Sequence, residues 1–288
     1  NTSVEYYCTI FSADESPLKE GLLWVGSDDG LIHTTLDGGI NWKNTTPKQM
    51  PEWTMINSIE ASPFDPGTCY VAGTRYKLGD YTPYLYKTTD YGVTWKIITS
   101  GIANEDFTRV IRADPIRKGM LYAGTENGMY ISYDDGNSWS LFQKNLPIVP
   151  ITDLKIKDNS LIVATQGRSI WILDDLTVLH QVQSKITSEE TILYKPKQSY
   201  RIKGRGGESS LTAGTNLPNG VIVHFYLKKF DSEKDKVELQ FKSNDGELIK
   251  KYSTDDKKNK LNVKEGGNSF VWDTRYDGAE KLEGMIFW

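Results

Sequence analysis

Three carboxylates of this chain stand in one recurring phrase. Asp37, Asp90 and Asp134 each lie two residues after a hydroxyl side chain (Thr35, Thr88, Ser132) and two before a glycine (Gly39, Gly92, Gly136). A tryptophan follows each aspartate at the fifth position: Trp42, Trp95 and Trp139. Carboxylates can act as acid, base or nucleophile, and a pair about 5 Å or about 6.5–9.5 Å apart can cleave a glycosidic bond. A catalytic site needs one constellation in one place, however, and this phrase is written three times. Turn chemistry accounts for it. Asp accepts hydrogen bonds from the N–H groups of its own turn, and Gly supplies the positive φ the bend requires. The Trp opens the next strand and is placed to bury its indole between neighbouring repeats. All twelve residues are therefore read as structural braces.

Other catalytic signatures are missing from the text. No Gly-x-Ser-x-Gly elbow is present, and the cluster Gly204–Ser209 lacks the spacing and following helix of a phosphate-binding loop. His33, His180 and His224 are scattered without ligand-spaced neighbours, so neither a metal nor a cofactor is expected. Cys8 and Cys69 form no disulfide framework and read as buried free thiols in apolar runs.

The elements that must position these residues repeat as well. Thr35, Thr88 and Ser132 are 53 and 44 residues apart, most of the extra length in the second copy being the insertion Arg75–Pro83. Each copy runs through a Pro turn, a short apolar strand ending in Gly and Ser/Thr, a turn and another strand. A fourth copy, from Asp153 to Asp175, keeps the strands and lacks the Asp–Gly–Trp phrase. Strands of this length at this period predict four-stranded β-propeller blades. Residues 1–180 are thus expected to form four blades, read as part of a larger propeller because closed four-bladed rings are uncommon. Residues 181–194 read as a linker with a short helix. Residues 195–288 read as a small immunoglobulin-like β-sandwich, with Asn244–Asp245–Gly246 as a hairpin turn and Val237, Leu239 and Phe241 on one face. The ending Gly284–Trp288 reads as mid-strand, so the sandwich is expected to be truncated. The fold class is all-β.

In an up-and-down blade the repeated phrase occupies the turn between the third and fourth strands. Functional residues are then expected on the opposite face, from the turns between second and third strands and the links between blades. The turns contribute Asp28 and Asp29, then Arg75, Tyr76, Asp80 and Tyr81, then Glu126 and Asn127, then Gln166 and Arg168. The links contribute Glu52 and Trp53, then Glu105 and Asp106. That mixture of aromatics, carboxylates and two Arg suits a glycan or a polar peptide. The Tyr-bearing insertion is the strongest candidate within it, because an exposed aromatic tip asks for a use.

The phrase also carries a family likeness. Ser/Thr-x-Asp-x-Gly-x-x-Trp resembles the Asp-box, or bacterial neuraminidase repeat, of sialidases, xyloglucanase-type glycosidases and sortilin-type receptors. Ser16–Leu31, Pro83–Ile97 and Ala164–Leu176 look like the large bacterial sortilin-like proteins often labelled glycosyl hydrolase. Ala213–Leu227 and Gly266–Ala279 match the sandwich that follows the propeller there, so the likeness spans nearly the whole chain. Gln166 stands where that group usually has His. Tyr200–Gly204 only mimics the Arg-Ile-Pro phrase of a sialidase, and does so in the wrong domain. The resemblance implies an extracellular or cell-envelope location and a C-terminal part of a longer protein, in keeping with a chain that begins without Met. It implies two functions: a peptide- or glycan-binding scaffold, or a glycoside hydrolase with paired carboxylates on the face opposite the Asp-boxes. The partner would be that ligand, the rest of the propeller or another envelope protein.

Charge narrows the partners. The net −4 of the 288 residues divides into −8 over residues 1–194 and +4 over 195–288. An acidic first part lacks the basic footprint a nucleic acid requires. No apolar run approaches the roughly 18 residues of a membrane helix, so no membrane insertion is expected.

Overall fold

A computed structural model describes residues 7–182, 191–201 and 217–277. The expectations for Gly204–Ser209, Ala213–Thr215 and Gly284–Trp288 fall outside these residues. The chain divides into two units between Leu176 and Thr177.

The first unit is a row of β-propeller blades. Blade 1 comprises β1 (Ile10–Glu15), β2 (Leu23–Ser27), β3 (Ile32–Thr35) and β4 (Lys43–Asn44). Blade 2 comprises β5 (Met55–Ala61), β6 (Cys69–Arg75), β7 (Asp80–Thr88) and β8 (Lys96–Ile97). Blade 3 comprises β9 (Thr108–Ala113), β10 (Leu121–Thr125), β11 (Met129–Ser132) and β12 (Ser140–Leu141). Each is an antiparallel sheet in sequence order. Blade 4 has three strands among the described residues, β13 (Ile151–Lys157), β14 (Ser160–Thr165) and β15 (Ile170–Leu173). The fourth strand expected from the repeat does not follow. Without the Asp–Gly–Trp turn, the chain leaves β15 across the β13–β14 bend, where Asn159 donates to Asp175 and Leu176 N–H donates to Asn159.

Blades stack through their first strands, β1 on β5, β5 on β9 and β9 on β13; β13 and β1 do not pack in the same way. Apolar layers between the blades hold the stack, and two of them are these. Leu22, Trp24 and Ile32 of blade 1 meet Ile56, Ile59, Cys69, Val71 and Tyr86 of blade 2. Tyr70, Ala72, Leu85 and Ile98 of blade 2 meet Ile111, Leu121, Ala123, Tyr130 and Trp139 of blade 3. A strand sandwiched on both faces needs apolar residues at successive positions. Accordingly, β10 is buried at every residue, while β2 is buried only at alternate ones, Trp24 and Gly26.

A polar stitch runs along the inner strands. Ser12 and Asp14 of β1 accept from Ile59 and Ala61 N–H of β5. One blade on, Ser58 and Glu60 accept from Ile111 and Ala113 N–H. Arg112 then donates to Leu154 O and Asp153 of blade 4. Burial raises Glu60 from 4.5 to about 7, against the pull of Arg112, and burial raises Asp14 as well.

The second unit begins with α1 (Thr177–Gln181) and contains two sheets. One is β16 (Thr191–Leu193), β17 (Val221–Leu227) and β20 (Gly266–Trp272); the other pairs β18 (Glu238–Lys242) with β19 (Leu248–Ser253). β16 lies inside the stretch read as a linker and pairs with β17, so the unit starts earlier than residue 195. The hairpin at Asn244–Gly246 is present, with Gly246 at φ 87. Val237, Leu239 and Phe241 share a face and pack on Val223, Phe225 and Leu227, and Phe241 stacks on Trp272 at 4.3 Å. Of the two cysteines only Cys69 is buried; Cys8 precedes β1 and is exposed.

Candidate functional site

The three repeated phrases form turns with the same hydrogen-bond pattern. Thr35 Oγ1 donates to Asp37 and accepts from Gly39 N–H, and Asp37 accepts from Asn41. Thr88, Asp90, Gly92 and Thr94 repeat this, as do Ser132, Asp134, Gly136 and Ser138. Hydrogen bonds from Asn41 and Thr35 hold Asp37 down at about 2. Each turn is tied to the bend between the first and second strands of its blade, through Gly38 to Gly21, Tyr91 to Gly67 and Asp135 to Gly119. The indoles behave differently. Trp95 Nε1 donates to Thr45 O of blade 1 and Trp139 Nε1 to Ile98 O of blade 2, whereas Trp42 is 44% exposed.

On the opposite face, each turn between second and third strands is tied to the link entering its own blade. Asp28 N–H donates to Thr9 O, Glu126 N–H to Phe107 O, Gln166 N–H to Pro150 O, and Arg75 Nε to Glu52 O. Most of the polar side chains predicted here are engaged with the protein itself. Asp29 accepts from Ser27, which holds its carboxyl below the ordinary range. Asp106 is buried and accepts from Asn127 N–H and Nδ2. Glu126 pairs with Arg109 at 2.6 Å. Arg168 offers its carbonyl to Trp171 Nε1, and Gln166, Arg168 and Glu105 are exposed.

The insertion in blade 2 is a latched hairpin. Arg75 and Asp80 form an ion pair of 2.6 Å across the 3-10 turn Tyr76–Leu78. Burial pushes Asp80 up, but hydrogen bonds from Tyr84 and Thr82 and the pairing with Arg75 outweigh it and leave Asp80 at about 2. Tyr76 stacks on Phe107 at 5.1 Å, with the Arg109 guanidinium over both rings. Tyr81 tilts against the same Phe107 at 6.0 Å. The aromatic tip is therefore partly spent on blade 3.

A pocket of about 310 Å³ opens beside this hairpin, between blades 1 and 2. It gathers Asp28, Trp53, Arg75 and Tyr76 from the predicted set and adds Tyr7, Met55, Thr74, Lys77 and Leu78. Trp53 is 52% exposed at φ 62 and meets Tyr7 edge-on at 5.6 Å. Asp28 is the one carboxylate among the described residues of the lining, and its Oδ1 accepts from Thr9 N–H. Asp29, Glu52, Asp80, Tyr81, Glu105, Asp106, Glu126, Gln166 and Arg168 do not line it. Chemically the pocket is an apolar and aromatic recess with one engaged acid and one ammonium group at its mouth. Arg75, its other cation, is neutralised by Asp80.

Stacked four-stranded antiparallel sheets with this turn geometry define the chain as a β-propeller protein. Solved structures are similar to part of the chain. Ycf48 bound to a D1 peptide is 21% identical, covering 57% of this chain and 51% of its own, with a TM-score of 0.44. Ycf48 from Cyanidioschyzon merolae is 15% identical over 57% of this chain and 52% of its own, TM-score 0.42. A GH74 xyloglucanase from Xanthomonas campestris is 14% identical over 65% and 32%, TM-score 0.46. This chain spans about half the length of the Ycf48 chains and about a third of the xyloglucanase. No protein-family model and no curated protein matches it.

Proposed function

We propose that this chain is a secreted or cell-envelope binding and scaffolding module that takes an apolar side chain of a peptide into the pocket between blades 1 and 2. The second unit, read as an immunoglobulin-like sandwich, would space or anchor it. One observation carries the reading: the recess is walled by Trp53, Tyr7, Tyr76, Met55 and Leu78 and, among the described residues, holds a single carboxylate. Ligand pockets are mostly apolar with a few placed polar groups, and large rigid aromatics bind at low entropic cost. A sugar would need several free donors and acceptors for its hydroxyls, and here Asp28 and Arg75 are already engaged.

Hydrolysis is the lesser reading, because a glycosidase needs a second acid across the bond. Titration calorimetry with N-acetylated Leu- and Phe-centred tripeptides and with cello- and xyloglucan oligosaccharides tests the choice. Saturable peptide binding, weakened at least about tenfold by Trp53→Ala, is the expected result. Turnover of an oligosaccharide that is abolished in Asp28→Asn would overturn it.

A further inference from the structure

The three blade-to-blade contacts inside this molecule show what each side of a blade binds. Register equivalence is set by strand pairing: Leu23 and Thr35 of blade 1 correspond to Cys69 and Thr88 of blade 2 and to Leu121 and Ser132 of blade 3. The side of a blade that faces its predecessor is then built from four positions. In blade 2 they are Cys69, Val71, Tyr86 and Trp95; in blade 3, Leu121, Ala123, Tyr130 and Trp139. All are buried except Trp95, which is half-buried. In blade 1 they are Leu23, Val25, His33 and Trp42, and none is buried. Ile40, in the turn before Trp42, is 82% exposed. The alternating burial of β2 comes from the same cause, one covered face and one open face.

We infer that the open face of blade 1 docks a further propeller blade supplied from outside residues 1–288, one with four strands and a complete outer strand. The indoles specify the outer strand. Trp95 and Trp139 each reach the carbonyl three residues beyond the preceding blade's own phrase Trp, at Thr45 and Ile98. Trp42 requires the corresponding carbonyl. A second copy of this chain would have to present blade 4, whose described residues have no fourth strand to offer it. The inner rim adds a second requirement. Ser12 with Asp14, and Ser58 with Glu60, reach forward to the next blade's N–H groups. At the third junction Val110 and Arg112 hold these positions and Arg112 reaches forward instead, so the docking blade should carry on its first strand a polar side chain that reaches forward to β1.

Hydroxyl-radical footprinting, read by mass spectrometry at Trp42, tests this without an engineered fold. The isolated 288-residue chain is compared with the same protein isolated natively from the cells that make it, using an antibody to residues 255–277. Oxidation of Trp42 at least about fivefold lower in the native material, with Trp139 equally protected in both, is expected for burial beneath a blade. Equal oxidation of Trp42 in the two samples would overturn the inference. Sedimentation of the isolated chain supplies the other arm. A head-to-tail dimer that disappears in Trp42→Ala would assign the face to a second copy and overturn the choice of partner; a monomer supports it.

Discussion

Trp139 keeps only 4% of its exposure and donates to Ile98, whereas Trp42, at the same place in the same phrase, remains 44% exposed. Removing a large buried side chain costs its transfer free energy and the cavity it leaves. In the isolated chain Trp139→Ala should therefore lose about 3–5 kcal/mol in a urea melt, and Trp42→Ala less than about 1 kcal/mol. Equal losses would show that the phrase stabilises its own turn and not the neighbouring blade. The aspartates are separable from recognition. Asp90 accepts from Thr88 and Thr94, all on the side away from the pocket. Asp90→Asn should lower the melting temperature and leave the calorimetric peptide affinity unchanged. A drop in affinity at unchanged melting temperature would place Asp90 in a site.

Blades approach closely where a strand gives up its side chain. A Cβ on Gly26 would lie 2.3 Å from Ile56 Cγ2, and one on Gly124 would lie 2.6 Å from Ile151 Cγ2. Gly124→Ala should cost about 1–3 kcal/mol by overpacking, read as a lower midpoint in a urea melt; an unchanged midpoint would show that the blades can part far enough to admit a methyl group. At the hairpin, Asp80→Ala frees Arg75 and unlatches the wall formed by Tyr76, Lys77 and Leu78. Peptide affinity should fall at least about tenfold while the global urea midpoint moves little; an unchanged affinity would show that the latch does not shape the pocket. The repeated turns were legible because their chemistry is local: each hydroxyl, Asp and Gly bonds within four residues. Much of the pocket was not. Tyr7 and Thr74 come from distant points in the chain, and only the folded blades bring them to Trp53; Met55, two residues after Trp53, opens β5. Lys77 and Leu78 lie within the insertion Arg75–Pro83, and the 3-10 turn there brings them to the pocket wall. Arg75 and Asp80 read in the sequence as ligand candidates, and only the fold of the 3-10 turn between them closes the ion pair that engages both. Asp106 resembled a loop acid until its bonds to Asn127 closed the link to the neighbouring turn.

Across the whole first unit, carboxylates shifted in opposite directions set the pH response. Asp37 and Asp80 lie near 2, below their ordinary 3.8, so their contribution is present above that value and is lost as pH falls toward 2. Glu60 lies near 7, above its ordinary 4.5, so its contribution is present below 4.5 and is lost as pH rises through 7; Asp14 shifts the same way. Chemical melts of the wild type should accordingly weaken from pH 5 to pH 8. Glu60→Gln, which keeps an acceptor for Ala113 N–H, should flatten that slope and gain on the order of 2 kcal/mol over wild type at pH 8. A slope unchanged by the substitution would mean that Glu60 is already ionised at neutrality. The stitches themselves have a direction: on the inner rim Ser12, Asp14, Ser58 and Glu60 reach toward higher residue number, with Arg112 bridging both neighbours, and the indoles on the outer rim point back. A strip with such a heading has unlike ends, so joining one end of a copy to the other end of the next is not a two-fold contact. Lateral growth through those ends is heterologous, and must either curl into a closed circle or continue as a fibre.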